Sequence, residues 1–312
     1  MSNNGVAAMT AQDLIEVLCA AHLAHRVEGS FSERGGIMLV APPGNLKSTF
    51  IAALDGHYPD VLVLTDLNAK ALAALRDRIT AGQIRTLVFP ELAKLWERKN
   101  ETAANVEGAL RALASEGFRA ASFEPQGVAR LDARACIIGA ATLGFRDQHI
   151  ERWIANGFAR RFLWPMFRLG TPELLDEAVA LWTRVDFHVT HVPQPPALGE
   201  PIPNLTTETE RRALKMLVKH QPGGSSVQQH ALLVQILAVL KFWYRRMQFG
   251  RDPMDVLRAF GTSLGPQGAE LTMLPIPPLA KRKARARDRE RQRHEAAVVL
   301  SKARWPKRGR TS

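Results

Sequence analysis

The hydrophobic pattern opens with a helix over residues 10–27, where Leu14, Ile15, Leu18, Ala21 and His22 fall on one face. A polar loop follows. IMLVAPP (37–43) then reads as a buried strand running directly into a turn and a new helix over 47–54. Two more continuous apolar strands, VLVLTD (61–66) and TLVFPE (86–91), flank an Ala/Leu-rich helix over 69–79. Helical patterns return over 92–99 and 102–116. Period-two stretches at 118–123 and 128–132, around Glu124-Pro125-Gln126-Gly127, predict a β-hairpin. ACIIGAAT (135–142) predicts a strand, 148–156 a helix, and RFLWPMFRL (161–169) a last strand. Continuous apolar strands alternating with helices predict an α/β fold with a parallel sheet covered on both faces. No internal repeat is visible.

Beyond this core, VPQPPALGEPIPN (192–204) reads as a Pro-rich linker. Two helices with capping boxes follow, one opening at Thr207 with Glu210 three residues on, the other at Ser226 with Gln229. The expected organisation is an N-terminal helix and loop (1–34), a core (35–170), a connecting helix and linker (171–204), a small helical domain (205–278) and a basic tail (279–312). A winged helix is one form the helical domain could take. Trp243, Tyr244, Arg245 and Arg246 could stack on bases or close a core.

Charge changes this picture only at one end. The net charge is +12, but thirteen Lys and Arg against three acids lie beyond residue 280, leaving about +2 on the rest. The protein therefore has a basic tail, not a basic field. Cys19 and Cys136 stand far apart with no metal-ligand spacing, as expected of structural thiols in a reducing compartment. No signal-peptide pattern and no long apolar span is legible, so a cytoplasmic protein without a membrane partner is expected.

The chemistry is carried by APPGNLKST (41–49). Set against G-x-x-x-x-G-K-[ST], Lys47 and Ser48 fall in place and Gly44 sits mid-loop, while Ala41 and Leu46 replace the two terminal glycines. A strand, turn and helix in this order offer backbone N–H groups to phosphate oxygens. Pro43, Gly44, Asn45, Leu46, Lys47, Ser48 and Thr49 are the candidate ATP-binding residues. A chance KST at an ordinary strand-to-helix turn is the alternative. Glu91 ends the 86–91 strand where a water-activating carboxylate belongs; it could equally be a helix-starting acid. Pro90 occupies the usual place of a magnesium-binding Asp, so Ser48 and, through water, Asp66 are the candidate Mg²⁺ ligands. Thr142 ends the strand at 135–142, and Arg160 and Arg161 precede the last one.

Taken in order, residues 36–169 resemble the core of AAA+ ATPases, and in particular helicase-like ATPases of phages and other mobile elements. The resemblance is carried by NETAANVEGALRALASEGF, the hairpin, IIGAATL and the G-x-x-x-RFL element. It implies a three-layer P-loop NTPase core of the AAA+ (ASCE) type and self-association into a ring. It also implies that Thr142 senses the γ-phosphate and that Arg161 acts across a subunit boundary. The hairpin would grip a strand of DNA through Arg119, Gln126 and Arg130. The tail, with Lys281, Arg282, Lys283, Arg285 and Arg287, would anchor DNA electrostatically. The expected function is an ATP-hydrolysing motor acting on DNA. Alternatives are a nucleotide-binding adaptor without turnover and a DNA-binding protein with a vestigial loop.

Overall fold

A computed structural model describes residues 9–29, 35–52, 54–55, 57–67, 69–96, 100–117, 133–169, 200–247 and 252–272. A two-residue strand β1 (Met9–Thr10) leads into α1 (Ala11–Leu23). Thr10 caps that helix reciprocally: its hydroxyl accepts from the Asp13 N–H at 3.1 Å, and the Asp13 carboxylate accepts from the Thr10 N–H at 2.8 Å. Almost every residue of α1 is buried, including Asp13, Glu16 and His22, and it ends in a 3₁₀ turn, Ala24–Arg26.

The main sheet is parallel throughout. Its strands are β2 (Gly36–Val40), β3 (Val61–Val63), β4 (Thr86–Phe89), β5 (Cys136–Ala141) and β6 (Phe162–Leu163), in the spatial order β3-β4-β5-β2-β6. β2 pairs with β5 from Gly36 opposite Ile137 to Val40 opposite Ala141. Gly36 is required there, because a Cβ would stand 1.9 Å from the Ile137 carbonyl oxygen.

Alternation along β2 feeds two cores, as the pleat demands. Ile37 and Leu39 face one hydrophobic cluster, Met38 and Val40 the other. The second cluster takes residues of α4 (Ala93–Trp96), α5 (Asn100–Arg111) and α6 (Leu143–Ala155), and Ile79 of α3 (Ala69–Thr80). In it Trp153 stacks on Trp164 with centroids 5.2 Å apart. The first cluster takes α1, α2 (Lys47–Ala52) and residues of the C-terminal helices α7 (Glu208–Leu217), α8 (Val227–Met247) and α9 (Pro253–Ser263). The result is an α/β fold of three layers.

The C-terminal helices are therefore packed on the sheet rather than held apart from it. Leu232, Leu233, Ile236 and Leu237 of α8 share one cluster with Leu14 and Leu18 of α1 and with Ile37 and Ile138 of the sheet. Buried amides fasten them. Gln221 accepts from the Trp164 N–H at 2.6 Å and donates to the Leu264 carbonyl at 2.7 Å, and Gln229 donates to the Phe162 carbonyl at 2.8 Å. Both expected capping boxes form, at Thr207 and at Ser226. Trp243 is buried in this core, and Arg246 lies over the Phe242 ring at 4.5 Å.

Two sequence expectations are corrected. The strand expected over 161–169 breaks in two. After β6, Pro165 has no N–H to donate; its carbonyl still accepts from the Val40 N–H at 2.9 Å and Met166 bridges Val40, after which the chain leaves the main sheet to form β7 (Phe167–Leu169). β7 joins β8 (Ala269–Thr272) and β1 in a second parallel sheet of order β1-β8-β7. The helix expected over 148–156 instead starts at Leu143, because Thr142 caps it by accepting from the Phe145 N–H at 3.3 Å. The expected hairpin at 118–132, the 171–199 segment and the basic tail lie outside the described residues. No described helix is long and apolar enough to cross a membrane.

Candidate functional site

β2 sits between β5 and β6, yet the chain leaving it passes β5 and β4 to reach β3. Connections diverge at its carboxyl end, the kind of crevice where open α/β sheets bind ligands. The segment 41–49 lies there. The Ala41 N–H donates to the Ala141 carbonyl at 3.3 Å, and the Leu92 N–H donates to the Ala140 carbonyl at 2.8 Å. The Ser48 hydroxyl donates to the Pro90 carbonyl at 3.4 Å. Three strand ends, carrying the loop, Glu91 and Thr142, thus meet at one place.

Within the loop, φ is +78° at Gly44 and +55° at Leu46, and negative at Asn45 between them. Leu46 is the one non-glycine residue with positive φ among the described residues. Alternating handedness of this kind turns successive N–H groups toward a common concavity, an anion nest. So the position where glycine is usual keeps a glycine-like backbone despite its Cβ. Packing explains the tolerance: the half-buried Leu46 side chain lies against the cluster formed by α1, α2 and α8. Its carbonyl also accepts from the Phe50 N–H at 3.0 Å, opening α2. Asn45 clamps the loop from the other side, accepting from the Leu169 N–H at 2.6 Å and donating to the Pro43 carbonyl at 3.1 Å.

Lys47 folds over the bend. Its ammonium donates to the carbonyls of Ala41 and Pro42, both at 2.8 Å, and partial burial lowers its pKa. A cation stripped of water and held by two neutral acceptors has more to gain from a charged phosphate oxygen than an exposed lysine. Ser48 is exposed and Thr49 half-buried, both in the first turn of α2.

Glu91 is an exposed carboxylate paired with Lys94 at 2.7 Å, with its side chain 57% exposed. Counting on from Val63 opposite Val88 brings Asp66, also exposed, level with Glu91 one strand outward. Among the described residues no group of three His, Cys, Asp or Glu could hold a metal ion. Thr142 stands at the end of β5, its hydroxyl engaged as the α6 cap but still carrying a proton to donate.

Arg161 lies elsewhere. It is buried at the amino end of β6, and Gly36 at the amino end of β2 pairs with its neighbour Phe162. Its Nε donates to the Ser115 hydroxyl and its Nη1 to the Gly157 carbonyl, both at 2.6 Å. Such an arginine holds its own chain together. Arg160 is the exposed member of the pair. Arg119, Gln126, Arg130, Lys281, Arg282, Lys283, Arg285 and Arg287 lie outside the described residues.

A polar cluster that the sequence pattern concealed lies at the opposite end of the sheet from the loop. His22 Nδ1 is 2.8 Å from the Thr86 hydroxyl, Nε2 is 3.3 Å from the Asp60 carboxylate, and the Tyr58 ring lies 4.5 Å away. Burial alone would raise the Asp60 carboxyl, but the hydrogen bond and charge of His22, helped by its own backbone N–H, hold it below the usual range. This arrangement fastens α1 to β4 and to the residue before β3. No protein-family model matches the chain, and no curated protein matches it.

Proposed function

We propose that this chain is a P-loop nucleoside triphosphatase of the AAA+ type, which binds ATP with Mg²⁺ and works on DNA as a self-associating assembly. The observation that carries the reading is the meeting of the nest at Gly44–Leu46, the Pro90-Glu91 end of β4 and the Thr142 end of β5 at one sheet edge. The order β3-β4-β5-β2-β6 supports it, because the lysine-bearing strand then lies one strand away from the acidic one.

Bound magnesium would neutralise phosphate charge and hold the transferred group in line. The chain's own residues do the rest. The nest N–H groups receive β-phosphate oxygens, Lys47 exchanges its loop carbonyls for phosphate, and Ser48 offers a hydroxyl to the metal. Thr142 donates toward the γ-phosphate. Glu91 orients water once Lys94 releases it, and an exposed pair of this kind is worth under about 1 kcal/mol. Arg160, not Arg161, is the arginine able to reach a neighbouring subunit. DNA is the expected substrate because of the basic tail, whose affinity would fall steeply with salt.

Pro90 favours a second reading, nucleotide binding without turnover. A neutral carbonyl stands beside Ser48 where a carboxylate would grip magnesium. The test is ATP binding together with steady-state hydrolysis, with and without DNA, in the wild type, Lys47→Ala and Glu91→Gln. Loss of binding in the first variant and of turnover alone in the second is expected. Tight wild-type binding with no turnover selects the second reading. Wild-type binding and turnover no different from Lys47→Ala end both.

A further inference from the structure

A cavity of about 530 Å³ lies away from the phosphate loop, between α7 and the amino end of α8, lined by Arg211, Arg212, Lys215, Ser226 and His230. Its charge is unbalanced. Arg211 and Lys215 stand one helical turn apart on α7, both exposed, with no acidic partner within 4 Å among the described residues. Glu208, the acid on its wall, already pairs with Arg212 at 3.2 Å. Like charges at this spacing cost a helix a few tenths of a kcal/mol. The amino end of the 21-residue α8, which carries partial positive charge, opens into the same space. His230 does not answer this charge: its Nε2 meets the Arg211 carbonyl at 3.0 Å and ties α8 to α7. The Ser226 hydroxyl donates to the Arg160 backbone carbonyl at 2.5 Å and so holds the amino end of α8 against the turn before β6.

We propose that this cleft binds the phosphate backbone of a nucleic acid, with Arg211 and Lys215 as its principal contacts. Exposure of these cations decides between ligands of the same charge. A small anion gains little from hydrated surface cations. A polyanion gains at each contact by releasing condensed counterions, and Arg211 and Lys215, one turn apart on the same wall, offer it two. The cleft is separate from the nucleotide site, so its role does not depend on hydrolysis.

The test measures fluorescence anisotropy of labelled single-stranded and duplex oligonucleotides with the full chain, without nucleotide, between 50 and 200 mM salt. Arg211→Ala/Lys215→Ala is compared with the wild type and with Arg78→Ala/Arg258→Ala, which removes equal charge from exposed positions elsewhere. The expected result is weaker binding in the cleft variant, with the slope of log K against log salt reduced by about 1.8 on duplex and 1.4 on single strands. The control pair should leave the slope unchanged. Should the alanine pair fail to fold, Arg211→Gln/Lys215→Gln gives the same readout. An unchanged slope, or an equal loss in the control pair, overturns the proposal. So does loss of poly-glutamate binding with oligonucleotide binding intact, which would assign the cleft to acidic protein.

Discussion

Leu46 offers the sharpest test of the loop geometry, because it sets two ordinary preferences against each other. A non-glycine residue in the left-handed region costs about 1–2 kcal/mol, and Leu46 sits at φ +55°. Its half-buried side chain offsets that cost, since full burial of a leucine contributes about 1.5–3 kcal/mol. Leu46→Ala removes most of the packing of a half-buried side chain and keeps the strain, so it should destabilise by about 1 kcal/mol. Leu46→Gly removes the same packing and relieves the strain, less the flexibility handicap of about 0.5–1 kcal/mol that glycine carries relative to alanine. The glycine variant should therefore be the more stable of the two by about 0.5–1 kcal/mol, the reverse of the usual order. For a chain of this size that is a difference in Tm of about 1 °C, within reach of calorimetry. An alanine variant as stable as the glycine one would mean that residue 46 is not left-handed in solution, and the nest would have no basis.

Other substitutions probe the frame. Gly36→Ala should cost about 3 kcal/mol by urea denaturation, since the new methyl meets the Ile137 backbone in the middle of the sheet; a loss below 1 kcal/mol would contradict the β2–β5 register. Arg161→Ala should destabilise by about 3 kcal/mol, leaving the Ser115 hydroxyl and the Gly157 carbonyl without their donor, while Arg160→Ala should change stability by less than about 0.5 kcal/mol. Equal effects would undo the distinction between the two arginines. His22→Ala should cost about 2–4 kcal/mol through the orphaned Thr86 hydroxyl and the space left beside Tyr58. Because the Asp60 carboxyl is held low, its contribution is fully present above the unfolded value near 4 and lost as pH falls through its folded value. Wild-type stability should thus fall more steeply below pH 4 than that of Asp60→Asn, and parallel curves would refute the assignment.

Much of the sheet was legible because its strands are buried on both faces and so read as unbroken apolar runs. β3, β4 and β5 lie within the stretches their composition marked, β2 begins one residue ahead of its own, and the capping residues Thr207 and Ser226 announced their helices. What escaped depends on distant partners. β1 has two residues and is a strand only because Met9 meets Leu271. The run at 161–169 is apolar apart from Arg161 and Arg168, and nothing in it except Pro165 marks the change from one sheet to the other. His22 fits an apolar helical face, and its polar partners lie 38 and 64 residues away in sequence. Arg160 and Arg161 are adjacent and chemically identical, so only packing could tell the buried one from the exposed one. For the candidate site, the loop and the two strand ends were legible from their order, but the backbone of Leu46 was not.

The departures from the usual phosphate-loop pattern fall unequally on binding and on turnover. Holding a polyphosphate needs converging N–H groups and a desolvated cation. Leu46 supplies the first through a strained backbone secured by the core, and Lys47 the second. Neither depends on a metal. Turnover needs more at the end of β4, where Pro90 presents a neutral carbonyl to Ser48 and Glu91 is turned toward Lys94. A metal held by Ser48 and phosphate oxygens alone, without a strand-end carboxylate, is bound less tightly than one with an anionic protein ligand. The Lys94 pair is a small barrier by comparison, since its partners are more than half exposed. Hydrolysis should accordingly depend on magnesium concentration more steeply than nucleotide binding does, and Pro90→Asp, which places a carboxylate beside Ser48, should narrow that gap.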